Sequence, residues 1–385
     1  MKRFINFFCI AICAFMLLGA LASCKKEEPT PTPDGSESQT VLDSGSDSQG
    51  GNEGDGDPDP NPDPDPDPDP DPDPDPDPDP DPDPDPDPDP EPVLTTVNAT
   101  LMTFNIRYYN GDDTGVKHWS NRKDAVCDFI LNSGVGIIGL NEVKANQFFD
   151  LRDGVSEKYD VFWYASYVDD SNPQGNGVAY DRSIWQLVGT PEHFWLSPTP
   201  DVPSTGWKTS HYRSCIKALF EHKETGVRIN VFVTHLDHKY QEDMVNGAKL
   251  ILERMGESEY PVYLCGDFNC TPDSAAYNEV AAKLQDAQRT ALDSDEGTTF
   301  NGWGSKTDAD KYIIDFCFFS KENVTVKSYE ICDGKWGENN ENLLSDHNPV
   351  RVNVDLSAVA FKYPDISGVG GVEDFDDADK DAKDY

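Results

Sequence analysis

Positive charge is what this sequence has least of. Its 385 residues hold 31 Lys and Arg against 72 Asp and Glu, a formal charge of −41 at pH 7. No stretch gathers Lys and Arg among aromatic residues, the pattern that a polyanion bound through many phosphates ordinarily requires. A nucleic-acid partner is not excluded by this, but the charge does not favour one. Residues 1–94 carry 4 basic and 25 acidic residues and residues 358–385 carry 3 and 8, which leaves 24 and 39, net −15, for residues 95–357. Long apolar runs are scarce too. The one candidate, residues 4–21, is marginal for a membrane helix, which needs about 20 apolar residues with suitable flanks. Closely spaced cysteines are also missing. Three of the nine (Cys9, Cys13 and Cys24) lie at the N-terminus, and the other six (Cys127, Cys215, Cys265, Cys270, Cys317 and Cys332) form no C-x-x-C unit, so a zinc knuckle or a dithiol redox motif is not expected. Cys215 and Cys317 sit inside apolar strand-like runs, where a thiol acts as a small hydrophobe. An exported domain could oxidise a pair, but the sequence selects none.

What is present begins with a leader. Lys2 and Arg3 precede the apolar run, which closes on Leu21-Ala22-Ser23-Cys24. Leu-Ala-Ser-Cys resembles the bacterial lipoprotein lipobox, which implies a signal peptide over residues 1–23 and a lipid on Cys24, hence a membrane partner through that lipid. The following Lys25-Lys26-Glu27-Glu28 resembles the surface-export signal of Bacteroidetes lipoproteins. The expectation is an exported, outer-membrane lipoprotein facing the cell surface. Residues 24–94 read as a linker that cannot fold. From Asp57 to Pro90 an Asp-Pro repeat, broken only by Asn61, fixes φ at every second residue, removes half the backbone donors and repels itself along its length. At about 3.1 Å per residue such a polyproline II rod reaches on the order of 100 Å. A stiff stalk is the simplest reading, with an acidic tail over residues 358–385 at the other end.

Residues 95–357 are of a size that one domain can reach. Short apolar, β-branched or aromatic runs at 99–106, 136–140, 177–181, 216–222, 228–235, 262–265, 312–319 and 350–354 predict strands. Helical spacing predicts a helix over 122–132 capped by Ser120, a second over 243–257 and a third near 274–285. Strands and helices alternate with several hairpin-like neighbours, which favours an α+β fold of mixed sheets covered by helices.

Polar residues cluster at the ends of these runs, where sites built on strand termini lie. Thr103-Phe104-Asn105 closes the first strand and Leu140-Asn141-Glu142 the second. Thr234-His235-Leu236-Asp237-His238 ends a long strand, Gly266-Asp267-Phe268-Asn269 follows another, Asp315 sits within an apolar run, and Ser345-Asp346-His347-Asn348-Pro349 precedes the last. Singly each is weak, because a carboxylate after a strand commonly caps a helix or forms a turn. Together they supply hard oxygen ligands for a divalent ion, two histidines, and carboxylates to orient them. That inventory suits metal-assisted attack of water on phosphorus.

Asn, then Glu, then His, then Gly-Asp-x-Asn, then Asp, then Ser-Asp-His is an order that resembles the endonuclease/exonuclease/phosphatase superfamily, over essentially all of residues 97–356. The resemblance implies a four-layer αββα sandwich, with two mixed β-sheets face to face, and a Mg²⁺- or Mn²⁺-dependent phosphoesterase acting on a phosphoester as a monomer. It implies Glu142 as main metal ligand, supported by Asn105 and Asp346. Asp267 and Asn269 would position the attacking water and a phosphate oxygen. His347, oriented by Asp315, would act as base or stabilise the charged phosphate, and His235 would bind a phosphoryl oxygen or assist the leaving group. Arg213, before the 216–222 run, could clamp phosphate or form a surface salt bridge. The chain departs from many members in carrying Asn141 rather than Gln before the Glu, one methylene shorter. Loops 109–119, 167–177 and 197–212 would set specificity. A secreted nuclease is the alternative within this chemistry, and a non-catalytic surface binding protein on the same fold the alternative outside it.

Overall fold

The computed structural model describes residues 94–168 and 171–360. The expected signal peptide, Cys24, the Asp-Pro stalk and the tail beyond residue 360 lie outside the described residues. In chain order the first half comprises β1 (Leu94–Asn105), α1 (Trp119–Asn132), β2 (Ile137–Lys144), α2 (Ala145–Gly154), β3 (Tyr159–Ala165), β4 (Gln174–Asp181), β5 (Trp185–Trp195), β6 (Ser214–His222) and β7 (Arg228–His235). Then follow α3 (Gln241–Met255), β8 (Val262–Asp267), α4 (Ala275–Lys283), β9 (Leu284–Asp286), α5 (Ala287–Thr290), β10 (Asp293–Ser294), β11 (Asp315–Ser320), β12 (Val324–Ile331), β13 (Lys335–Trp336), β14 (Asn342–Leu343) and β15 (Val350–Val359).

One sheet has the order β10-β12-β15-β1-β2-β4-β3, the other β5-β6-β7-β8-β11-β9. Both mix parallel and antiparallel pairs: β1 runs parallel to β2, and β7 parallel to β8. Side-chain alternation explains why the sheets stack. Leu101, Ile137 and Val352 of the first sheet meet Ile229, Val231, Val233, Cys265 and Phe319 of the second in one central core. The opposite faces of the same strands are apolar as well. Met102, Phe104 and Ile138 pack under α1 and α2, and Phe232, Leu264 and Phe318 pack under α3 and α4. Strands buried on both faces read as continuous apolar runs, which is why β1, β2, β7 and β8 were visible in sequence. The result is the expected four-layer αββα sandwich.

The sheets approach closely where side chains are small. A Cβ on Gly139 would meet Cys265 Sγ of the other sheet at 2.5 Å; within the second sheet, one on Gly266 would meet the Thr234 carbonyl oxygen of the neighbouring strand at 1.8 Å. All six cysteines of the domain are buried free thiols, with no disulfide among the described residues.

Several boundaries differ from expectation for local reasons. α1 starts at Trp119, and His118 rather than Ser120 caps it, its Nδ1 accepting from the Ser120 amide. The strand expected from residue 312 begins only at Asp315, because Tyr312 and Ile314 are drawn into hydrogen bonds with the 298–300 segment. The third helix stops at Lys283, and Leu284–Asp286 pairs with β11 as a strand. β3, β5, β12 and α2 were not anticipated.

Candidate functional site

The four strands of the two central parallel pairs, β1 with β2 and β7 with β8, all run toward one edge of the sandwich. Asn105 of β1 stands opposite Asn141 of β2, and His235 of β7 opposite Asp267 of β8. β11 and β15 run antiparallel to their neighbours, so their starts fall at that same edge: Asp315 is registered against Asp267, and His347 lies just before β15. In β2 two residues, Asn141 and Glu142, oppose Asn176 alone. This bulge interrupts the ladder and gives Glu142 a φ of 62°, a conformation uncommon outside glycine and frequent at sites.

Side-chain amides stitch the sheets together behind this edge. Asn105 Nδ2 donates to Asp267 Oδ2 at 3.0 Å, crossing from the first sheet to the second. Asn141 crosses twice: its Nδ2 donates to the Thr234 carbonyl at 2.9 Å, and its Oδ1 accepts from the Asp267 amide at 3.0 Å. It also holds Asn176, whose own Nδ2 reaches the Ser214 carbonyl at 3.0 Å. The shorter residue in place of Gln therefore has a full set of partners.

Asp267 is the hub. Its Oδ2 lies 3.4 Å from His235 Nε2 and 3.8 Å from His347 Nε2. His347 turns its Nδ1 to both oxygens of Asp315, at 3.1 and 2.9 Å, and its ring rests edge-on against Phe300. All four residues are at most 5% exposed. Burial opposes the charged form of His347, but Asp315, then Asp267 and Asp346, outweigh it and raise its pKa to about 10. Burial, and then Asp315, lift Asp267 to about 7. His235 behaves oppositely: burial, and then the Arg213 guanidinium, hold it well below its ordinary value. Arg213 Nη1 faces His235 Nδ1 at 3.1 Å and Nη2 faces His238 Nδ1 at 3.2 Å. Arginine can only donate, so both imidazoles accept at Nδ1 and carry their proton on Nε2.

These groups line one cleft of about 600 Å³, with Glu142, Asn269, Asp346, Arg107 and Lys144 on its walls. Glu142 Oε2 accepts from the Tyr108 amide at 3.0 Å, and Asp346 is 3.5 Å from Arg107 Nη1. Glu142, Asp267 and Asp346 with the Asn105 amide form a hard-oxygen set that fits a divalent cation. Asp267, Asp315 and His347 also offer ligand atoms within 4.8 Å of one another and could hold an ion.

The sequence profile of the endonuclease/exonuclease/phosphatase family matches residues 102–347. The chain belongs to this family. A solved endonuclease/exonuclease/phosphatase from Bacteroides vulgatus is 34% identical, aligning 68% of this chain with 99% of that one at a TM-score of 0.62. A family member from Bacteroides thetaiotaomicron is 26% identical over 68% of this chain and 99% of its own, TM-score 0.62. A mannosyl-6-phosphatase from the same organism is 27% identical over 66% and 99%, TM-score 0.60. No curated protein sequence matches the chain. Endonuclease/exonuclease/phosphatase enzymes hydrolyse phosphoesters, and the geometry suits that class. His235, Asp267, Asn269, His347, Arg213, Glu142 and Asp346 line the cleft, while Asn105 and Asp315 touch residues that do.

One residue central to the site was missed. Arg122 of α1 is fully buried. Its Nε donates to the Lys117 carbonyl, Nη1 to those of Ile106 and Leu344, and Nη2 to that of Arg107, at 2.6–3.0 Å. It thus ties the loops after Asn105 and before Asp346 to one helix. Burial lowers its pKa to about 10, against the attraction of Asp346 and Asp113. The signal was available: Arg122 shares the spacing of Trp119, Val126 and Ile130, the buried face of α1. Arg122→Met leaves four carbonyls without that donor, and each buried orphan costs about 1–3 kcal/mol. Urea unfolding should show a loss of at least about 3 kcal/mol. Amide exchange should quicken in loops 106–113 and 344–347 before it does in β5 and β6. A uniform change, or none, contradicts this role.

Proposed function

We propose that the chain hydrolyses a phosphomonoester outside the cytoplasm, as a monomer carrying Mg²⁺ or Mn²⁺ at Glu142, Asn105 and Asp346. The observation that carries this reading is the convergence of Glu142, Asp267, His235 and the His347–Asp315 pair on one cleft from five separate strand ends. The ion, when bound, supplies a positive charge that polarises the phosphoryl group and offsets the charge of the departing oxygen. It belongs with Glu142 and Asp346 rather than with Asp315, because both oxygens of Asp315 are engaged by His347 Nδ1.

The remaining work falls to the chain's own residues. Asp267 lies between two imidazoles, and with Asn269 it orients the attacking water and takes its proton. The new oxygen–phosphorus bond forms as the bond to the leaving alcohol breaks, and the alkoxide takes a proton from solvent. His347, held as imidazolium by Asp315, donates through Nε2 to the charge growing on the phosphoryl oxygens. His235 and Arg213 hold a phosphoryl oxygen from the other side. A monoester dianion suits the seven cationic or imidazole side chains gathered on this cleft in an otherwise acidic domain, among them Arg107, Lys144, Arg213, His235 and His347. Similarity to a mannosyl-6-phosphatase supports a monoester and puts sugar phosphates first among the substrates to try.

A screen of the protein with Mg²⁺ against sugar phosphates, inositol phosphates, phospholipids and nucleic acid tests the class, and monoesters should release phosphate fastest. Glu142→Gln keeps size but removes a charge from the ion, and turnover should fall at least about tenfold. Undiminished turnover in EDTA would remove the metal from the account, and faster cleavage of nucleic acid would favour the nuclease reading. Export rests on the lipobox-like Leu21–Cys24. Cys24→Ala should move the protein from the membrane to the soluble fraction, and retention in high salt would instead make residues 4–21 the anchor.

A further inference from the structure

The charged cleft continues into a second depression of about 300 Å³, at the lower end of the roughly 300–1,000 Å³ that hold small organic ligands. Asn269 and Tyr312 line both hollows and form the wall between them. The wall is firm. Asn269 is fixed by its Nδ2 on the Leu236 carbonyl and its amide on Asp267 Oδ1, and Tyr312 packs against Phe300 with the Lys306 ammonium over its ring.

The two hollows differ in chemistry. The cleft carries three cationic and three acidic side chains besides its histidines, whereas no lining residue of the second hollow is charged. In a domain of net charge −15 that neutrality is informative. Its rim is polar, with Gln241 at the start of α3, Thr271 after β8, and Ser274 at the cap of α4, while Met244, Cys270 and Ala276 supply apolar surface. Ser274 is occupied with the Tyr277 amide. Gln241 and Thr271 are exposed, and their side chains have no hydrogen-bond partner among the described residues. Donors and acceptors around an apolar floor match a ring that has hydroxyls at its edge and C–H groups on its face. A nucleic-acid strand entering here would place its next phosphate against a lining that contributes no Lys or Arg.

We propose that this groove receives a neutral sugar unit joined to the phosphorylated one, so that the substrate is a phosphorylated oligosaccharide rather than a free sugar phosphate. The proposal rests on the phosphomonoesterase reading above and extends it. The phosphate and the sugar that bears it lie in the cleft beside Arg213, His235 and His347, the glycosidic bond crosses the Asn269–Tyr312 wall, and the next sugar meets Gln241 and Thr271. Contacts so far from phosphorus act by binding and by fixing the pose, and they raise kcat/KM for the longer substrate.

The test uses the full chain with Mg²⁺ on p-nitrophenyl phosphate, a hexose 6-phosphate and a disaccharide carrying the same 6-phosphate. The expected kcat/KM for the disaccharide phosphate exceeds that for the monosaccharide by at least about tenfold. Thr271→Trp, which fills the groove at an exposed loop position, should bring that ratio near one, and Gln241→Ala should lower it part of the way. A ratio near one in the unaltered protein overturns the proposal, as does a ratio that Thr271→Trp leaves intact. If no monoester in the series is cleaved, the phosphatase reading itself fails and the groove proposal falls with it.

Discussion

The site depends on hydrogen bonds that cross between the two sheets. Asn105 and Asn141 project from the first sheet, and their amides end on the side chain and backbone of Asp267 in the second. Buried in a low-dielectric layer, such bonds hold position because breaking one strands a polar group away from water, at about 1–3 kcal/mol. Asp267 is therefore fixed both along its strand and across the interface. From there it sets the distance between His235, at the end of β7, and His347, in the segment before β15. Both imidazoles of the site are thus positioned by one carboxylate at the joint.

Strand direction explains why so many groups can meet there. In each sheet the central pair is parallel and ends at the same edge, and the antiparallel neighbours begin at it. Two kinds of strand end, finishes of parallel strands and starts of antiparallel ones, therefore converge there. The charges assembled in this way would repel, and the structure offsets them with cations at buried and half-buried positions. Arg122 reaches four carbonyls from beneath, Arg107 faces Asp346 from above, and His347 carries its charge between Asp315 and Asp267. The acidic whole and the mixed-charge cleft are compatible because the cations sit at few, chosen positions.

Much of this was legible in the sequence, for reasons that differ by element. β1, β2, β7 and β8 are buried on both faces and so appear as unbroken apolar runs, and their polar last residues stand out as site candidates. β5 is harder: Gly189 and Pro191 interrupt it, and its pairing with β6 breaks between Val188 and Glu192. α2 follows β2 without a loop, so no turn signal marks its start. Asp315 was visible as a carboxylate in an apolar run, but its partner lies 32 residues away, a distance that the family resemblance bridges and local pattern does not. Asn141 is the clearest instance of the limit. Its identity as a shorter side chain was plain, whereas its role across two sheets depends on the close approach to Cys265 that Gly139 permits.

The central claim is that this edge directs water onto the phosphorus of an ester. Hydrolysis in water enriched in oxygen-18, with Mg²⁺ and a sugar monophosphate, reads that step from the mass of the products. Attack at phosphorus puts one heavy oxygen in the released phosphate of each turnover and none in the alcohol. Heavy oxygen in the alcohol, with unlabelled phosphate, would mean cleavage at carbon and would contradict the account.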